Sequence, residues 1–157
     1  MNGCDVHVKM CEMRAGHGHE ILRTTLGSCV GIGLLWHQRE RCALAHCLLP
    51  EPPSGQGQPS AKYVTDTLPA LLRLIGAEPA DYGQLEAVVA GGACMVRHDR
   101  PAPYGLIGEQ NTQMAQRLLA RAGIRVVHTD TGGTHGRQLS IDCRTRQYSV
   151  RTFERID

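Results

Sequence analysis

Two apolar runs decide the fold: Val30-Gly-Ile-Gly-Leu-Leu-Trp36 and Cys42-Ala-Leu-Ala-His-Cys-Leu-Leu49. The residues between them, 37–41, are polar and typical of a turn. Short apolar runs bounded by turn signals are typical of β-strands, and two runs so close in sequence favour antiparallel pairing. The sequence therefore predicts a β-hairpin over residues 29–49.

Further strands are expected before this hairpin. Val6, Val8 and Met10 alternate with polar residues, which predicts a strand with these three side chains on one face. Residues 14–19, Arg-Ala-Gly-His-Gly-His, are expected to form a loop because glycine interrupts them twice. Residues 21–26 are predicted to form a second strand, which leads towards the hairpin.

Two helices are predicted after the hairpin. Apolar side chains recur at helical spacing over residues 64–75, and Gly76 is expected to end that helix. Pro69 lies inside the pattern, so it either kinks the helix or marks the first turn of a shorter helix capped by Thr67. A second apolar stripe predicts another helix over residues 107–122.

Four more strands are predicted, the last two as a closing hairpin: 85–90, 124–127, 139–143 and 148–153. The strands come in clusters and do not alternate strictly with helices. This order favours an α/β or α+β domain whose sheet has mixed strand direction and carries the two helices on its surface. A chain of 157 residues suits one domain, so a single domain over 1–157 is expected.

The composition argues against several classes of protein. The net charge is +2, the arginines are spread along the chain, and there is one Trp and one Phe, which disfavours nucleic-acid binding. No apolar run has the length of a signal peptide or a membrane span, so a soluble cytoplasmic protein is expected. Seven cysteines without a CxxC pair do not suggest a disulfide framework, and most are expected to be small buried side chains.

Cys29 is the first candidate catalytic residue. It follows the Gly27-Ser28 break between two predicted strands, where small residues allow a substrate to approach the main chain closely. The amide N–H groups around Ser28 and Cys29 could then stabilise an oxyanion. The alternative interpretation is a buried cysteine at a strand end with a β-bulge before it.

His46 is the second candidate. In an antiparallel hairpin, a residue near the start of one strand lies beside a residue near the end of the other, which brings Cys29 and His46 together. A histidine beside a thiol can act as its base, although a lone core histidine is more often bonded to a backbone carbonyl. Thr24 and Thr25 lie on opposite faces of their strand, so only one of them can orient the imidazole.

Other possible sites are weaker. His17 and His19, with Cys4, His7 and Cys11 upstream, do not have the spacing of a known zinc motif, so no metal site is predicted. Residues 91–93, Gly-Gly-Ala, lack the lysine that follows in a phosphate-binding loop. Asp130 and Arg137 flank the predicted loop 131–133 and are expected to pin it.

Two motifs in the chain are specific when they occur at this separation: Leu26-Gly-Ser-Cys-Val30 and Ala45-His-Cys-Leu-Leu-Pro50. With them, the sequence resembles the CheD family of chemoreceptor glutamine deamidases along nearly its whole length. Further motifs follow in the expected order: Lys62-Tyr63, Ala90-Gly-Gly-Ala-Cys-Met95, Ile107-Gly-Glu-Gln-Asn111, Asp130-Thr-Gly-Gly133 and Ser149-Val-Arg151.

The resemblance implies a fold and a set of catalytic residues. The fold would be a mixed-sheet α/β sandwich with two main helices, similar to bacterial toxin deamidase domains, which agrees with the pattern of elements. The family's nucleophile falls on Cys29 and its histidine on His46. Its threonine matches Thr24 best, with Thr25 as the alternative. No metal or organic cofactor is implied.

The resemblance also implies substrates and partners. The substrate would be glutamine side chains on the cytoplasmic helices of chemoreceptors, hydrolysed through a cysteine thioester, and glutamate methyl esters would present the same carbonyl. A CheC-type phosphatase of the chemotaxis response regulator would be a partner. The rival hypothesis is therefore a binding module that acts mainly by docking to that phosphatase.

Overall fold

The computed structural model describes residues 4–53, 61–94 and 103–153, with the side chains of the last range from residue 107. Two short 3₁₀ turns cover His37–Arg39 and Pro79–Gln84. The helices are α1, Val64–Ile75, and α2, Pro103–Ala122. The strands are β1 Cys4–His7, β2 Met13–Gly16, β3 Glu20–Leu26, β4 Val30–Trp36, β5 Arg41–Cys47, β6 Glu86–Gly91, β7 Arg125–Thr131, β8 Gly136–Asp142 and β9 Gln147–Phe153.

The strands form two sheets. The four-stranded sheet has the order β1-β3-β8-β9, and the five-stranded sheet has the order β2-β5-β4-β6-β7. The pairs β1–β3 and β6–β7 are parallel and the other pairs are antiparallel. One apolar cluster lies between the sheets, and a second lies between the five-stranded sheet and the two helices. The predicted α/β class with mixed sheets and two main helices is confirmed.

The predicted hairpin is confirmed as β4 and β5, which pair from Val30 opposite Cys47 to Trp36 opposite Arg41. Alternate side chains of β4 face the helices or the other sheet, so both faces of the strand are buried. This burial explains the uninterrupted apolar run. Gly31 and Gly33 face the second sheet, where a Cβ at Gly33 would lie 2.8 Å from Ile141, so the glycines permit close packing of the sheets.

Two predictions near the N-terminus are wrong. The first strand ends at His7, and Met10 is 54% exposed in a turn instead of sharing a buried face with Val6 and Val8. Strand β2, residues 13–16, covers the first half of the loop predicted over 14–19, and only residues 17–19 are a loop. This edge strand is held by its hydrogen bonds to β5. Pairing with another strand therefore decides its conformation, despite the glycines that led to the prediction of a loop.

Helix α1 begins at Val64 and does not begin at a cap on Thr67. The Thr67 hydroxyl instead donates a hydrogen bond of 2.7 Å to the carbonyl of Tyr63, within the first turn. Pro69 lies in the helix interior, so the alternative of a shorter helix is wrong. Gly76 ends the helix in the left-handed conformation, with φ of 83°, as predicted.

The remaining predicted elements are confirmed with shifted bounds. The second helix, the strand before it, the strand after it and the closing hairpin correspond to α2, β6, β7 and β8–β9. The described residues form nine strands, and the one that the sequence did not indicate is β2. None of the described helices has the length and apolar character needed to cross a bilayer.

Candidate active site

The three candidate catalytic residues come from different parts of the sandwich. Thr24 lies on β3 of the four-stranded sheet, and His46 lies on β5 of the five-stranded sheet. Cys29 lies on the segment 27–29, which crosses from one sheet to the other. The hairpin register places Gly31 opposite His46, so Cys29 lies close to the histidine strand. Thr24 is 0% exposed, and Cys29 and His46 are each 5% exposed.

A hydrogen bond between the sheets fixes the tautomer of His46. The Thr24 hydroxyl donates its single proton to the carbonyl of Val8 at 2.7 Å. The same oxygen lies 2.7 Å from Nδ1 of His46, so Nδ1 must carry a proton and donate it to Thr24. Nε2 is therefore left with a lone pair, and within the described residues this buried atom has no hydrogen-bond partner.

The structure distinguishes the two threonines. Thr24 points into the inter-sheet core and contacts His46, whereas Thr25 is exposed on the opposite face of β3. This alternation is the one expected for neighbouring strand residues. Of the two threonines, Thr24 is therefore the one bonded to the imidazole.

The thiol and the imidazole are both neutral near pH 7. Burial, and to a lesser degree the nearby thiol of Cys11, raises the pKa of Cys29 to about 11. Burial, and then the charge of His7, lowers the pKa of His46 to about 4. The arrangement therefore suits a base that takes the proton during the reaction, and it does not suit a preformed thiolate–imidazolium pair.

The low pKa of His46 predicts a loss of stability in acid. Unfolded His46 binds a proton below about pH 6.5, whereas the folded residue stays neutral down to about pH 4. The unfolded state therefore binds more protons between about pH 6.5 and pH 4. As the pH is lowered through this window, the free energy of unfolding should decrease by up to about 1.4 kcal/mol per pH unit. Urea unfolding across the window should show this slope in the wild type and a shallower one in His46→Gln. Equal slopes would contradict the prediction.

The carbonyl groups of the crossing segment are all held by hydrogen bonds. The carbonyl of Gly27 accepts from the N–H of Ala93 at 3.0 Å, and that of Cys29 accepts from Gly92 at 2.8 Å. The carbonyl of Ser28 accepts from Nδ2 of Asn111 at 3.1 Å. In a trans peptide the C=O and N–H groups point in opposite directions. The N–H groups of Ser28 and Cys29 therefore point away from these partners.

Gly91 permits the close approach of β6 to the crossing segment. Its φ is 113°, and a Cβ at this position would overlap the carbonyl oxygen of Cys29. Arg137 holds the other side of this turn by donating to Asp130 at 2.8 Å and to the carbonyls of Gly91 and Gly132 at 3.1 and 2.7 Å. The expected pinning of the loop by Asp130 and Arg137 is confirmed.

Asn111 is a site residue that the sequence reasoning did not identify. It is 0% exposed on α2, and its Nδ2 donates to the carbonyls of Ser28 and Leu48 at 3.1 and 3.0 Å. It therefore joins the segment before Cys29 to the chain that follows His46. A polar residue within the apolar stripe of the predicted helix was the available signal.

The described residues contain no group of three or more His, Cys, Asp or Glu side chains that could hold a metal ion. His17 and His19, the weaker candidates in the sequence, are exposed. The groups that the candidate site brings together are a thiol, an imidazole and main-chain N–H groups.

The chain is similar to a described family and to curated members of it. The family model described as CheD chemotactic sensory transduction matches residues 48–152. The probable chemoreceptor glutamine deamidase CheD of Bdellovibrio bacteriovorus is 39% identical over 135 residues, 86% of each chain. The chemoreceptor glutamine deamidase CheD of Halalkalibacterium halodurans is 32% identical over 136 residues, 85% of this chain and 84% of the relative.

A third relative extends the similarity to almost the whole chain. The probable chemoreceptor glutamine deamidase CheD 2 of a Ruegeria species is 31% identical over 168 aligned positions, 97% of this chain and 94% of the relative. The family model begins after Cys29 and His46, whereas this longer match spans nearly all of the sequence. The chain therefore belongs to the CheD family.

Proposed function

We propose that this protein hydrolyses glutamine side chains of chemoreceptors to glutamate and ammonia, with Cys29 as nucleophile and His46 as base. One observation carries the proposal: Thr24 holds His46 in a single tautomer whose Nε2 has no partner among the described residues, on the strand that lies beside Cys29. The curated relatives named as chemoreceptor glutamine deamidases support this choice of substrate.

The first half of the reaction transfers an acyl group to the thiol. Nε2 of His46 takes the proton of Cys29 while the sulfur attacks the carboxamide carbon of the glutamine. The carbonyl oxygen becomes an oxyanion, and the N–H groups of Ser28 and Cys29 donate to it. His46 then gives its proton to the amide nitrogen, so that the C–N bond breaks and ammonia leaves a thioester.

The second half regenerates the enzyme. Nε2 of His46 takes a proton from a water molecule, whose oxygen attacks the thioester carbon. The tetrahedral intermediate collapses, the C–S bond breaks, and the proton returns to the sulfur of Cys29. The product is glutamate, and no metal or organic cofactor takes part. A glutamate methyl ester would enter the same route and release methanol.

The experiment that tests this function uses a purified cytoplasmic fragment of a chemoreceptor from the same organism. After incubation with the protein, each converted glutamine adds about one mass unit, and peptide mapping locates it. Free glutamine serves as the control, because a receptor enzyme should leave it unchanged. No mass gain on the receptor fragment would overturn the proposal, and turnover of free glutamine would indicate a general amidase.

The proposed substrate places the protein in the cytoplasm, beside the receptor helices. Each reaction changes a neutral amide into a carboxylate on a helical bundle, and added like charge at helical spacing weakens such a bundle by tenths of a kcal/mol per pair. Docking to a CheC-type phosphatase is the alternative function. Loss of the thiol should stop deamidation and leave such docking intact, which separates the two.

Removing the Thr24 hydroxyl should lower activity more than removing that of Thr25. In Thr24→Val, the proton on Nδ1 of His46 loses its acceptor. The tautomer that leaves the lone pair on Nε2 is then no longer favoured. We expect kcat to fall about 10²-fold, at the lower end of what a positioned base contributes. Thr24→Ser should keep most of the activity, and Thr25→Val should resemble the wild type. Equal effects of the two valine variants on kcat would contradict the role of Thr24.

Replacement of Asn111 should lower the rate of acyl transfer and leave the alkylation rate of the Cys29 thiol unchanged. Its amide nitrogen must face the carbonyls of Ser28 and Leu48, because an oxygen there would repel them. Asn111→Asp puts a carboxylate in that position and should tilt the peptide whose N–H group stabilises the oxyanion. We expect kcat to fall about 10²-fold.

The matched measurement for Asn111→Asp is alkylation of Cys29 by iodoacetamide, which forms no oxyanion. The alkylation rate should stay at the wild-type value while kcat falls. Gln116→Glu, an exposed change on the same helix, is the control for added charge. A parallel fall in both rates would indicate that Asn111 acts on the thiol or on folding, contrary to the prediction.

A further inference from the structure

A second pair of cysteines lies in the inter-sheet core, apart from the candidate active site. Cys42 is on β5 of the five-stranded sheet, and Cys143 follows β8 of the four-stranded sheet. Their Sγ atoms are 2.8 Å apart, and the side chains are 1% and 5% exposed. Cys42 is near the start of β5 and His46 near its end, so the pair joins the two sheets at the opposite end of the hairpin strand.

The backbone around the two sulfur atoms leaves room for both. Gly16 lies opposite Cys42 in the pairing of β2 with β5. A Cβ at position 16 would overlap Sγ of Cys143 and would lie 3.0 Å from Sγ of Cys42. Any side chain at this position would therefore push the sulfur atoms from their present places. The edge strand that the sequence did not predict is the element that accommodates the pair.

An open cavity lies beside Cys42. Its volume is about 480 Å³, and Cys42 forms part of its wall. The exposed polar side chains around it are those of His17, Arg39, Glu40 and Arg41. A water molecule occupies about 30 Å³ in the liquid, so this space admits a molecule as small as hydrogen peroxide.

The two thiols differ in acidity. The hydrogen bond from Cys143 lowers the pKa of Cys42, and the charge of Arg146 acts in the same direction against the burial of the thiol and the charge of Asp142. The same hydrogen bond, together with burial, raises the pKa of Cys143. Cys42 is therefore the thiol of the pair that ionises first, and the thiolate is the reactive form.

We propose that Cys42 and Cys143 form a reactive dithiol that a hydroperoxide oxidises to a disulfide between the two sheets. The thiolate of Cys42 attacks one peroxide oxygen, so that an S–O bond forms and the O–O bond breaks. This step yields a sulfenic acid at Cys42 and, after protonation, one molecule of water.

The second step closes the disulfide. The sulfur of Cys143 attacks the sulfur of Cys42, the S–O bond breaks, and the hydroxide leaves as water with the proton of Cys143. In total, two thiols and one hydrogen peroxide give one disulfide and two water molecules. The two sulfur atoms together lose two electrons, which the peroxide takes up. The reaction uses neither Cys29 nor His46, so it does not depend on the proposed deamidase activity.

The test treats the reduced full chain with hydrogen peroxide, blocks the remaining thiols with iodoacetamide in denaturant, and maps peptides without reduction. We expect a cross-linked peptide pair that contains Cys42 and Cys143, an intact mass lower by two hydrogens before alkylation, and two fewer alkylated thiols. Cys42→Ser and Cys143→Ser should each abolish the cross-link. Cys4→Ser, a change at an exposed cysteine, should retain it.

A thermal measurement gives a second readout. The disulfide would close a loop of about 100 residues, so oxidation should raise the Tm of the wild type by roughly 10 °C, and a thiol reductant should reverse the shift. Recovery of both Cys42 and Cys143 as alkylated thiols, while other cysteines are oxidised, would overturn the proposal. So would separate oxidation of the two thiols to sulfinic acids. If a serine variant does not fold, the peptide map of the wild type decides.

Discussion

Replacement of Cys29 by alanine should reduce deamidation of a receptor fragment by about 10⁴-fold or more, to the background rate. Alanine has no atom that can form the thioester, and neither a general base nor oxyanion donors can supply the missing nucleophile. The change removes a single sulfur atom from a side chain that is 5% exposed, so the fold should persist. Release of ammonia and the mass of the receptor fragment both measure the effect.

Cys47→Ala is the matched control for this result. Cys47 is also fully buried, but its side chain faces the helices, on the opposite face of the sheet from His46. The control variant should lose about 1 kcal/mol of stability and keep its kcat. Cys29→Ser tests the nature of the nucleophile, because a serine hydroxyl beside a base of low pKa should turn over far more slowly. Full activity of Cys29→Ala would leave docking to a phosphatase as the better account of the protein.

Replacement of His46 by glutamine should lower kcat by about 10³- to 10⁴-fold, the upper part of the range for a positioned general base. The pKa of Cys29 is raised to about 11, so very little thiolate exists near neutral pH without a base to take the proton. Glutamine has a similar polar reach but cannot accept and return a proton. KM should change much less than kcat, because the imidazole acts mainly in the transition state.

His7→Gln is the control for His46→Gln. His7 is exposed, and its charge contributes to the lowered pKa of His46 without a hydrogen bond between the two. The control should therefore leave kcat close to the wild-type value. Alkylation of Cys29 by iodoacetamide should slow in His46→Gln and not in His7→Gln. Retention of more than a tenth of the wild-type kcat by His46→Gln would mean that another group takes the proton.

The sequence was sufficient for those parts of the site that depend on local pattern. The uninterrupted apolar runs predicted β4 and β5, and antiparallel geometry then brought Cys29 near His46. The choice of Thr24 over Thr25 required knowledge of which face of β3 meets the other sheet. That information depends on the docking of the sheets, so alternation along the strand left both threonines open until the structure was known.

Two features were beyond sequence reasoning for physical reasons. Strand β2 has little apolar character and is stabilised by its hydrogen bonds to β5, which no local pattern reports. Asn111 contacts Ser28 across 83 positions of the chain, and its side chain satisfies carbonyls that belong to other elements. Contacts of this kind arise only when the sheets and α2 assemble. The sequence therefore indicated the candidate catalytic residues but not the hydrogen bonds from other elements that hold them in place.

In the proposed mechanism, the hydrogen bond between Thr24 and His46 makes kcat depend on the distance between the two sheets. Side chains outside the three candidate catalytic residues, such as Ile141 against Gly33, set this distance by their size. A change of volume there would move the threonine relative to the imidazole even where the stability of the fold is unaffected. By that mechanism, substitutions in the inter-sheet core should alter proton transfer as well as packing, and the turnover rate would respond to shifts in that core that a melting curve does not detect.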